Sequence, residues 1–574
     1  MIWGAESVKK RIAIGVSDFR EMLTGAYYYV DKTLFIKDIL EDGSKVILLP
    51  RPRRFGKTLN MSMLRYFFEK SAPDHSGLFE NLAICRHADC MAKQGQYPVI
   101  YLTFKDLKHN TWKVTYDSFV QLIYTEYNRH LYLLDSSVMS DMDKKYFRRV
   151  SMEEGSEADY AGSIKKLSEF LSKHYGKKTI ILIDEYDVPI QQAYLKQYYD
   201  PLVSFLRNLM TAALKDNNYL EKAVLTGVMR VARESLFSGL NNLSVWTLLD
   251  EPYSRYFGFL ESEVEELLNY YGIESQIEEV RSWYNGYIFG DTVVYNPWSV
   301  LKYAQNWQGG LQPYWVNTSD NELVKRLISK GGYELKSELE ELLQGGALVK
   351  TINQNISMGE VEQSEENVWS FLLFSGYLKA LTRDLIRGDF VCRLAIPNYE
   401  VEVLYQKIIL SWFVNQSGRN KLQSLLNSLM SGEVKTFTAL FKEYVMASLS
   451  YFDTGGQEPE QFYHAFVLGL LVGLRPEHEV KSNRESGYGR YDVMIIPRDL
   501  KQAGIIIEFK KVEADEGEDL EKAAERALQQ IDAKEYGQEL IERGIRKIRK
   551  LGIAFRGKEV LVRAKDWESQ TSLT

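Results

Sequence analysis

The chain has 574 residues, 45% of them hydrophobic and 13% aromatic, which supplies several cores and exceeds one ordinary domain. Its formal net charge of −7 excludes a globally basic nucleic-acid binder, so any such contact needs a local patch. Three cysteines (Cys85, Cys90 and Cys392) exclude a disulfide framework and point to a reducing cytoplasm.

No signal-peptide core is expected at the N-terminus, and the most apolar run, Phe466 to Leu474, is far too short to span a bilayer. Length sets an expectation of ~3 or 4 domains. In chain order, the segments 14–23 and 27–37 come first. The second holds YYYVDKT, where Asp31 or Thr33 can cap a helix running to Leu40. Asp31 and Lys32 are also placed to approach a ligand held by the adjoining segment, 45–59.

Residues 45–59 read KVILLPRPRRFGKTL. The pattern predicts a buried strand over Val46 to Leu49, a rigid Pro/Arg-rich loop, and a helix beginning near Leu59. A strand, a phosphate-sized loop, Gly-Lys-Thr and a helix N-terminus form a nucleotide-binding P-loop. Arg53, Arg54, Phe55 and Gly56 would line the phosphates. Lys57 would reach the β/γ-phosphates of ATP, and Thr58 would offer its hydroxyl to Mg²⁺. Arg51 stands where the leading glycine is expected, so the bend depends on Pro50, Pro52 and Gly56.

Cys85, His87 and Cys90 lie close together without a fourth ligand nearby, which favours structural cysteines over a metal. Pro98 to Phe104 is a strand candidate; helical patterns run from Tyr116 to Tyr132 and from Ser163 to His174, flanking an acidic surface loop at 151–159. TIILIDEYD then reads as a parallel strand buried on both faces, with Asp184 and Glu185 at its carboxyl end, where ligands sit in open α/β sheets. In that place Asp184 would hold Mg²⁺ through its shell and Glu185 would polarise the attacking water. Ala223 to Val228 is a further strand ending in Thr226, placed between the acids and the P-loop to sense the γ-phosphate. Arg230 and Arg233 come next and can offer charge to a transition state, in cis or toward a neighbouring subunit of a homo-oligomer.

PRPRRFGKTL, LIDEYDVPI and LTGVMRVARESLFSGLNNL resemble the AAA-ATPase-like family over roughly residues 11 to 300. The resemblance implies an AAA+-type ATPase module in which Lys57 and Thr58 match Walker A, Asp184 and Glu185 match Walker B, and Thr226 takes the sensor place. The family itself carries the arginine-rich loop in place of the leading glycine, so Arg51 is an expected feature.

Leu260 to Tyr271 has helical spacing, Asn285-Gly286 reads as a hairpin turn, and Pro297 as a helix start. The aromatic cluster around WYNGY and YNPWSV is expected to be the packed core of a lid rather than a base-stacking platform. Residues 320–450 read as mainly helical, with breaks at Pro397-Asn398 and at 453–456.

After a predicted apolar helix over 461–474 and a strand at 480–482, Tyr491 to Ile496 and the segment IIIEFKK read as strands. Alternation places Glu508 and Lys510 on one face and Phe509 on the other. Asp492 on the adjacent strand can then share a metal site with Glu508. Two carboxylates holding Mg²⁺ beside a lysine suit hydrolysis of a phosphodiester. SNRESGYGRYD, IIEFK, ALQQI and GIAFRGK resemble the PD-(D/E)XK nuclease superfamily over roughly 455 to 560. The resemblance implies a metal-dependent nuclease fold with Asp492, Glu508 and Lys510 at its active positions. Gln529 or Gln530 would be a fourth member, with Gln529 preferred, and Glu485 is weakly favoured over Glu460 as an additional acid. Arg484, Arg490 and the cluster Arg543, Arg546, Lys547, Arg549 and Lys550 form a basic surface, with a charged helix face the simpler reading and phosphate contacts the alternative.

The expected architecture is therefore α/β throughout: an AAA+-like P-loop ATPase with a parallel sheet (1–250), a lid and helical middle region (251–395), a helical connector (396–454) and a PD-(D/E)XK nuclease-like domain (455–574). The expected function is an ATP- and Mg²⁺-binding ATPase that controls a nuclease acting on nucleic acid, DNA before RNA, with no membrane contact. The alternative is a nucleotide-dependent switch or remodelling ATPase whose C-terminal domain binds without cutting.

Overall fold

The fold was read from a computed structural model. It describes residues 9–70, 74–229, 242–315, 321–356, 358–417, 419–451, 469, 473–474, 477–486, 489–512, 519–556 and 559–568. Side chains of residues 333, 410–419, 446–451 and 482–491 lie outside that description. The chain divides into two compact units, Met1–Leu323 with Ala347–Val401 and Val324–Gly346 with Glu402–Thr574.

In the first unit a five-stranded parallel sheet contains β1 (Val46–Pro50), β2 (Val99–Thr103), β3 (Thr179–Asp184), β4 (Leu220–Gly227) and β5 (Leu243–Val245), in the order β2-β3-β4-β1-β5. All five residues of β1 and all six of β3 are buried, as continuous apolar runs in a two-sided parallel sheet require. The order leaves β4 between β1 and β3. Pairing of Leu49 with Thr226, Ile183 with Leu225 and Thr103 with Asp184 brings the carboxyl ends of four strands level.

Helices cover the sheet where the sequence signals them. Glu157–Tyr175 starts in a capping box of Ser156 with Asp159 and stops at Gly176, whose φ of 63° suits glycine. It begins inside the stretch expected to be an acidic loop, because those acids are the cap. The helices Glu261–Tyr271, Ile277–Tyr284 and Pro297–Gln305 pack an aromatic-rich core of Phe259, Tyr284, Tyr295 and Tyr303, against which Ile12, Tyr28 and Val30 of the N-terminal segment also lie. The cluster is a core. Asn296 caps the third of these helices, with Pro297 in its first turn.

Two expectations change. The hairpin of β6 (Tyr287–Phe289) and β7 (Thr292–Val294) turns at Gly290-Asp291, not at Asn285-Gly286. Asn285 ends the preceding helix, and Gly286 (φ 109°) passes so close to Pro397 that a Cβ there would sit 2.3 Å from its carbonyl oxygen. The region expected to be mainly helical also contains an antiparallel sheet of β8 (Leu348–Ile352), β9 (Lys379–Ile386) and β10 (Asp389–Ala395), ordered β8-β10-β9. Its hairpin turns at Arg387-Gly388, both with positive φ.

The second unit holds β11 (His478–Ser486), β12 (Gly489–Pro497), β13 (Gly504–Lys511), β14 (Lys547–Arg556) and β15 (Glu559–Glu568) in sequential order. All pairings are antiparallel except β13 with β14. The helix Leu520–Ala533 supplies the crossover between those parallel strands and covers one face of the sheet with Ala523, Ala524, Ala527, Leu528 and Ile531. Gly552 permits the close approach: a Cβ there would stand 2.2 Å from the carbonyl oxygen of Ala524.

Candidate active sites

The first candidate site lies at the carboxyl edge of the parallel sheet. Between β1 and the helix Lys57–Phe68, the loop keeps its shape through side chains in place of glycines. Arg51 is fully buried and turns inward, donating to the carbonyls of Pro50 (2.8 Å) and Trp246 (2.7 Å). Its guanidinium lies 5.2 Å from the Phe257 ring centre and 5.5 Å from that of Phe289. Burial pushes its pKa down to about 9. Phe55, also fully buried, packs on Tyr287 and Phe289. Trp315 Nε1 donates to the Arg53 carbonyl at 3.1 Å. Gly56 takes φ 86° just before the helix, a conformation in which glycine is at ease.

Lys57 is buried, with Nζ 3.0 Å from both the Arg51 and Pro52 carbonyl oxygens. Asp184 is fully buried and gathers three hydroxyls: Thr226 at 2.7 Å, Thr58 at 2.8 Å and Thr103 at 3.3 Å. Burial, then the charge of Glu185, raises its pKa; the Thr226 and Thr58 hydroxyls and Lys57 oppose that shift. The expected trio of Thr58, Asp184 and Thr226 is thus brought together. Thr103 joins them although its own stretch carries no motif; the signal is its register opposite Asp184.

Glu185 has φ 53°, a left-handed backbone unusual for a non-glycine residue, and its N–H donates to Thr226 Oγ1 at 3.3 Å. Asp187 accepts from the backbone N–H groups of Val228 (2.8 Å) and Met229 (2.9 Å), fixing the exit of β4. Arg230 and Arg233 lie outside the described residues.

A cavity of about 540 Å³ opens over this edge, lined by Arg53 through Thr58 and Glu185 and also by Val16, Tyr28, Val30, Lys105, Asp106 and Lys108. Lys32 also lines it, but its ammonium is held by Glu263 (2.6 and 2.7 Å) and the Arg255 carbonyl. Asp31 instead accepts from the N–H groups of Thr33 and Ala83, so it is a structural residue. Thr58 beside Asp184, above a helix N-terminus, is a donor set that suits a hydrated Mg²⁺ with a phosphate ligand.

The second candidate site is on the helix-covered face of the C-terminal sheet. Asp492 on β12 accepts from the Phe509 N–H at 2.7 Å, which locks it against β13. Glu508 is buried at 2% exposure, and its Oε1 accepts from Lys510 Nζ at 3.1 Å. Its Oε2 is buried with no hydrogen-bond partner. Burial, then the charge of Asp492, pushes the Glu508 pKa up to about 7, against the pull of Lys510. An orphaned carboxylate oxygen beside a second carboxylate fits a divalent cation, which would satisfy both.

The helix register sets Gln530, not Gln529, beside Glu508. Gln530 donates to Glu508 Oε1 and lies 3.3 Å from the Tyr536 hydroxyl, whereas Gln529 faces solvent. Gln530 lies three residues beyond Ala527 and seven beyond Ala523, which puts it on the buried face. The Glu485 side chain and residue Glu460 lie outside the described residues, as do the Arg484 and Arg490 side chains. Much of the basic cluster is neutralised: Arg543 pairs with Glu479 and Glu539, Lys547 with Glu568, Arg549 with Asp566, and Lys550 with Asp532. The cluster is not the expected charged helix face: Lys547, Arg549 and Lys550 lie on β14 and Arg543 follows the helix Gln538–Glu542, and their acid partners leave them a salt-bridged surface rather than a free phosphate-binding one.

Among the described residues, no group of three or more His, Cys, Asp or Glu is placed to hold a metal, and the Cys85 thiol donates to the Phe79 carbonyl. No helix among them is long and apolar enough to cross a membrane.

Comparison with known proteins identifies both domains. A protein of Azotobacter chroococcum mcd 1, described as "Uncharacterized protein in vnfD 5'region", is 26% identical over 565 residues, covering 95% of this chain and 96% of the relative. Residues 13–237 match the family described as "Predicted AAA-ATPase", and residues 458–565 match the PD-(D/E)XK nuclease superfamily. The chain therefore carries an AAA-ATPase-like domain and, C-terminal to it, a domain of the PD-(D/E)XK nuclease superfamily.

Proposed function

We propose that this is a cytoplasmic protein that binds ATP with Mg²⁺ at the 51–58 loop and hydrolyses it. We further propose that this turnover controls a metal-dependent centre at Asp492, Glu508 and Lys510 that cleaves DNA. The nucleotide half is supported by Lys57, Thr58 and Glu185 lining one cavity, with Asp184 behind Thr58 accepting from its hydroxyl and from that of Thr226. Thr58 and Asp184 would hold Mg²⁺, Glu185 would orient the attacking water, and Lys57 would neutralise phosphate charge.

The observation that carries the nuclease half is the buried, partnerless Glu508 Oε2 beside Asp492. A divalent cation held there supplies Lewis acidity and an activated water. Lys510 sits at the rim to steady the water or the phosphate. Gln530 holds the Glu508 carboxylate in one orientation. The test is cleavage of several DNA and RNA forms in Mg²⁺, with and without ATP, by the parent chain and by Asp492→Ala and Lys510→Ala. Cleavage by the parent that both variants lose supports the assignment; variants that cut like the parent refute it.

The neutralised basic cluster favours a second reading, in which the C-terminal domain binds a partner without cutting. Nucleotide-dependent DNA binding with no cleavage in Mg²⁺ or Mn²⁺ would select a switch. ATP turnover stimulated by protein and indifferent to DNA would select a remodelling ATPase.

A further inference from the structure

The loop that replaces the glycine-rich P-loop sorts its side chains into two sets. Arg51 and Phe55 point inward and are completely buried, and they take the place of glycine as the source of the loop's shape. Anchoring the loop at those two points sends Arg53 and Arg54 out to line the cavity beside Lys57 and Glu185. Arg53 donates to the Gln191 side chain on the helix directly after the Asp184-Glu185 strand. Arg54 has a left-handed backbone (φ 69°), and its guanidinium lies 4.2 Å over the Trp298 ring. A backbone conformation that L-residues seldom adopt is kept here to aim a charged side chain at the cavity.

Neither guanidinium is in an ion pair among the described residues, although the two are sequence neighbours and each repels the other. Two adjacent guanidiniums and a buried ammonium therefore line one cavity, with Glu185 and Asp106 also on its wall. Such a group is stabilised by an anion carrying several charges. The charge of a transferring phosphoryl group, spread over three oxygens, matches planar guanidinium donors better than it matches a point charge.

We propose that Arg53 and Arg54 supply, within a single chain, the positive charge that stabilises phosphoryl transfer from ATP, so that the ATPase centre is complete without an arginine from a second subunit. This role rests on the proposed ATP hydrolysis. Bond cleavage is between the γ-phosphorus and the β,γ-bridging oxygen, with water as nucleophile. The water proton leaves through Glu185, and the products are ADP and inorganic phosphate. The arginines change no bond. They neutralise charge on the γ-phosphoryl oxygens.

The test uses the full chain in single-turnover ATP hydrolysis, with equilibrium binding of ATP and ADP measured in parallel. Arg53→Ala and Arg54→Ala should each lower the hydrolysis rate at least ~10³-fold, the lower end of an arginine finger's contribution. ADP affinity should stay within a few-fold of the parent. Millimolar guanidinium should restore part of the Arg54→Ala rate, which a merely structural role would not produce. The rate per chain should not vary with protein concentration, and mixing Lys57→Ala chains with Arg54→Ala chains should restore nothing. Restored hydrolysis on mixing, a rate that rises with protein concentration, or variants as fast as the parent would overturn this inference alone. A parent chain that binds neither ATP nor ADP would overturn the nucleotide reading and this inference with it.

Discussion

Glu508→Gln should stabilise the metal-free C-terminal unit at pH 8 and abolish its response to divalent cations. In the fold, burial and the charge of Asp492 hold the Glu508 pKa at about 7 against an ordinary 4.5. The native state thus binds this proton more tightly than the unfolded chain does. The resulting stabilisation is complete below about pH 4.5 and is lost as pH rises through 7. A gap of about 2.5 pKa units corresponds to about 3 kcal/mol between the two ends of that window. Glutamine removes the charge but leaves an N–H without an acceptor where Oε2 stood, and takes the countercharge from Lys510, so the net gain at pH 8 is about 1–2 kcal/mol. Hydrogen exchange of the β13 amides in the full chain, corrected for intrinsic rates, reads this locally. Added Mg²⁺ or Mn²⁺ should slow exchange in the parent and leave Glu508→Gln unchanged. A variant that exchanges faster than the parent at pH 8, or metal that protects both equally, would refute a destabilising, cation-seeking Glu508.

Gln530→Ala should reduce metal-dependent cleavage by about tenfold, as loss of a residue that orients a metal-ligand carboxylate does, while Gln529→Ala leaves it unchanged; initial rates on one DNA substrate decide between them. Lys57→Ala should eliminate ATP binding with no change in the folding of the C-terminal unit, seen as a lost equilibrium-binding signal with unaltered β13 exchange. Gly552→Ala forces a methyl group onto the Ala524 carbonyl oxygen and against Ala527 and Leu528. It should destabilise the C-terminal unit by about 1–3 kcal/mol in chemical denaturation and displace Gln530 from Glu508.

The strongest local patterns are legible in the sequence. The apolar runs 46–49 and 179–183 become fully buried parallel strands, and the cap signals at Asn296-Pro297 begin a helix where expected. Alternation alone places Glu508 and Lys510 together, and the structure joins them by a 3.1 Å hydrogen bond. Gln530 is legible too, because a period of 3.6 puts it above Ala527 and Ala523; a preference for Gln529 runs against that spacing. The β9–β10 hairpin likewise carries a turn signal at Arg387-Gly388 within a region that reads as helical.

The sequence by itself determined which segments become buried strands and capped helices, and which charged residues stand at strand ends, because both depend on periodicity and on contacts a few residues apart. Tertiary structure alone decided that Arg51 points inward, since its partners Trp246, Phe257 and Phe289 lie some two hundred residues away along the chain. It also decided that Asp184 gathers a third hydroxyl from Thr103, that Asp31 is structural, and that acids neutralise the basic cluster. Each of these is a pairing between distant segments, and no local pattern reports which distant group will arrive to satisfy a buried donor or a charge.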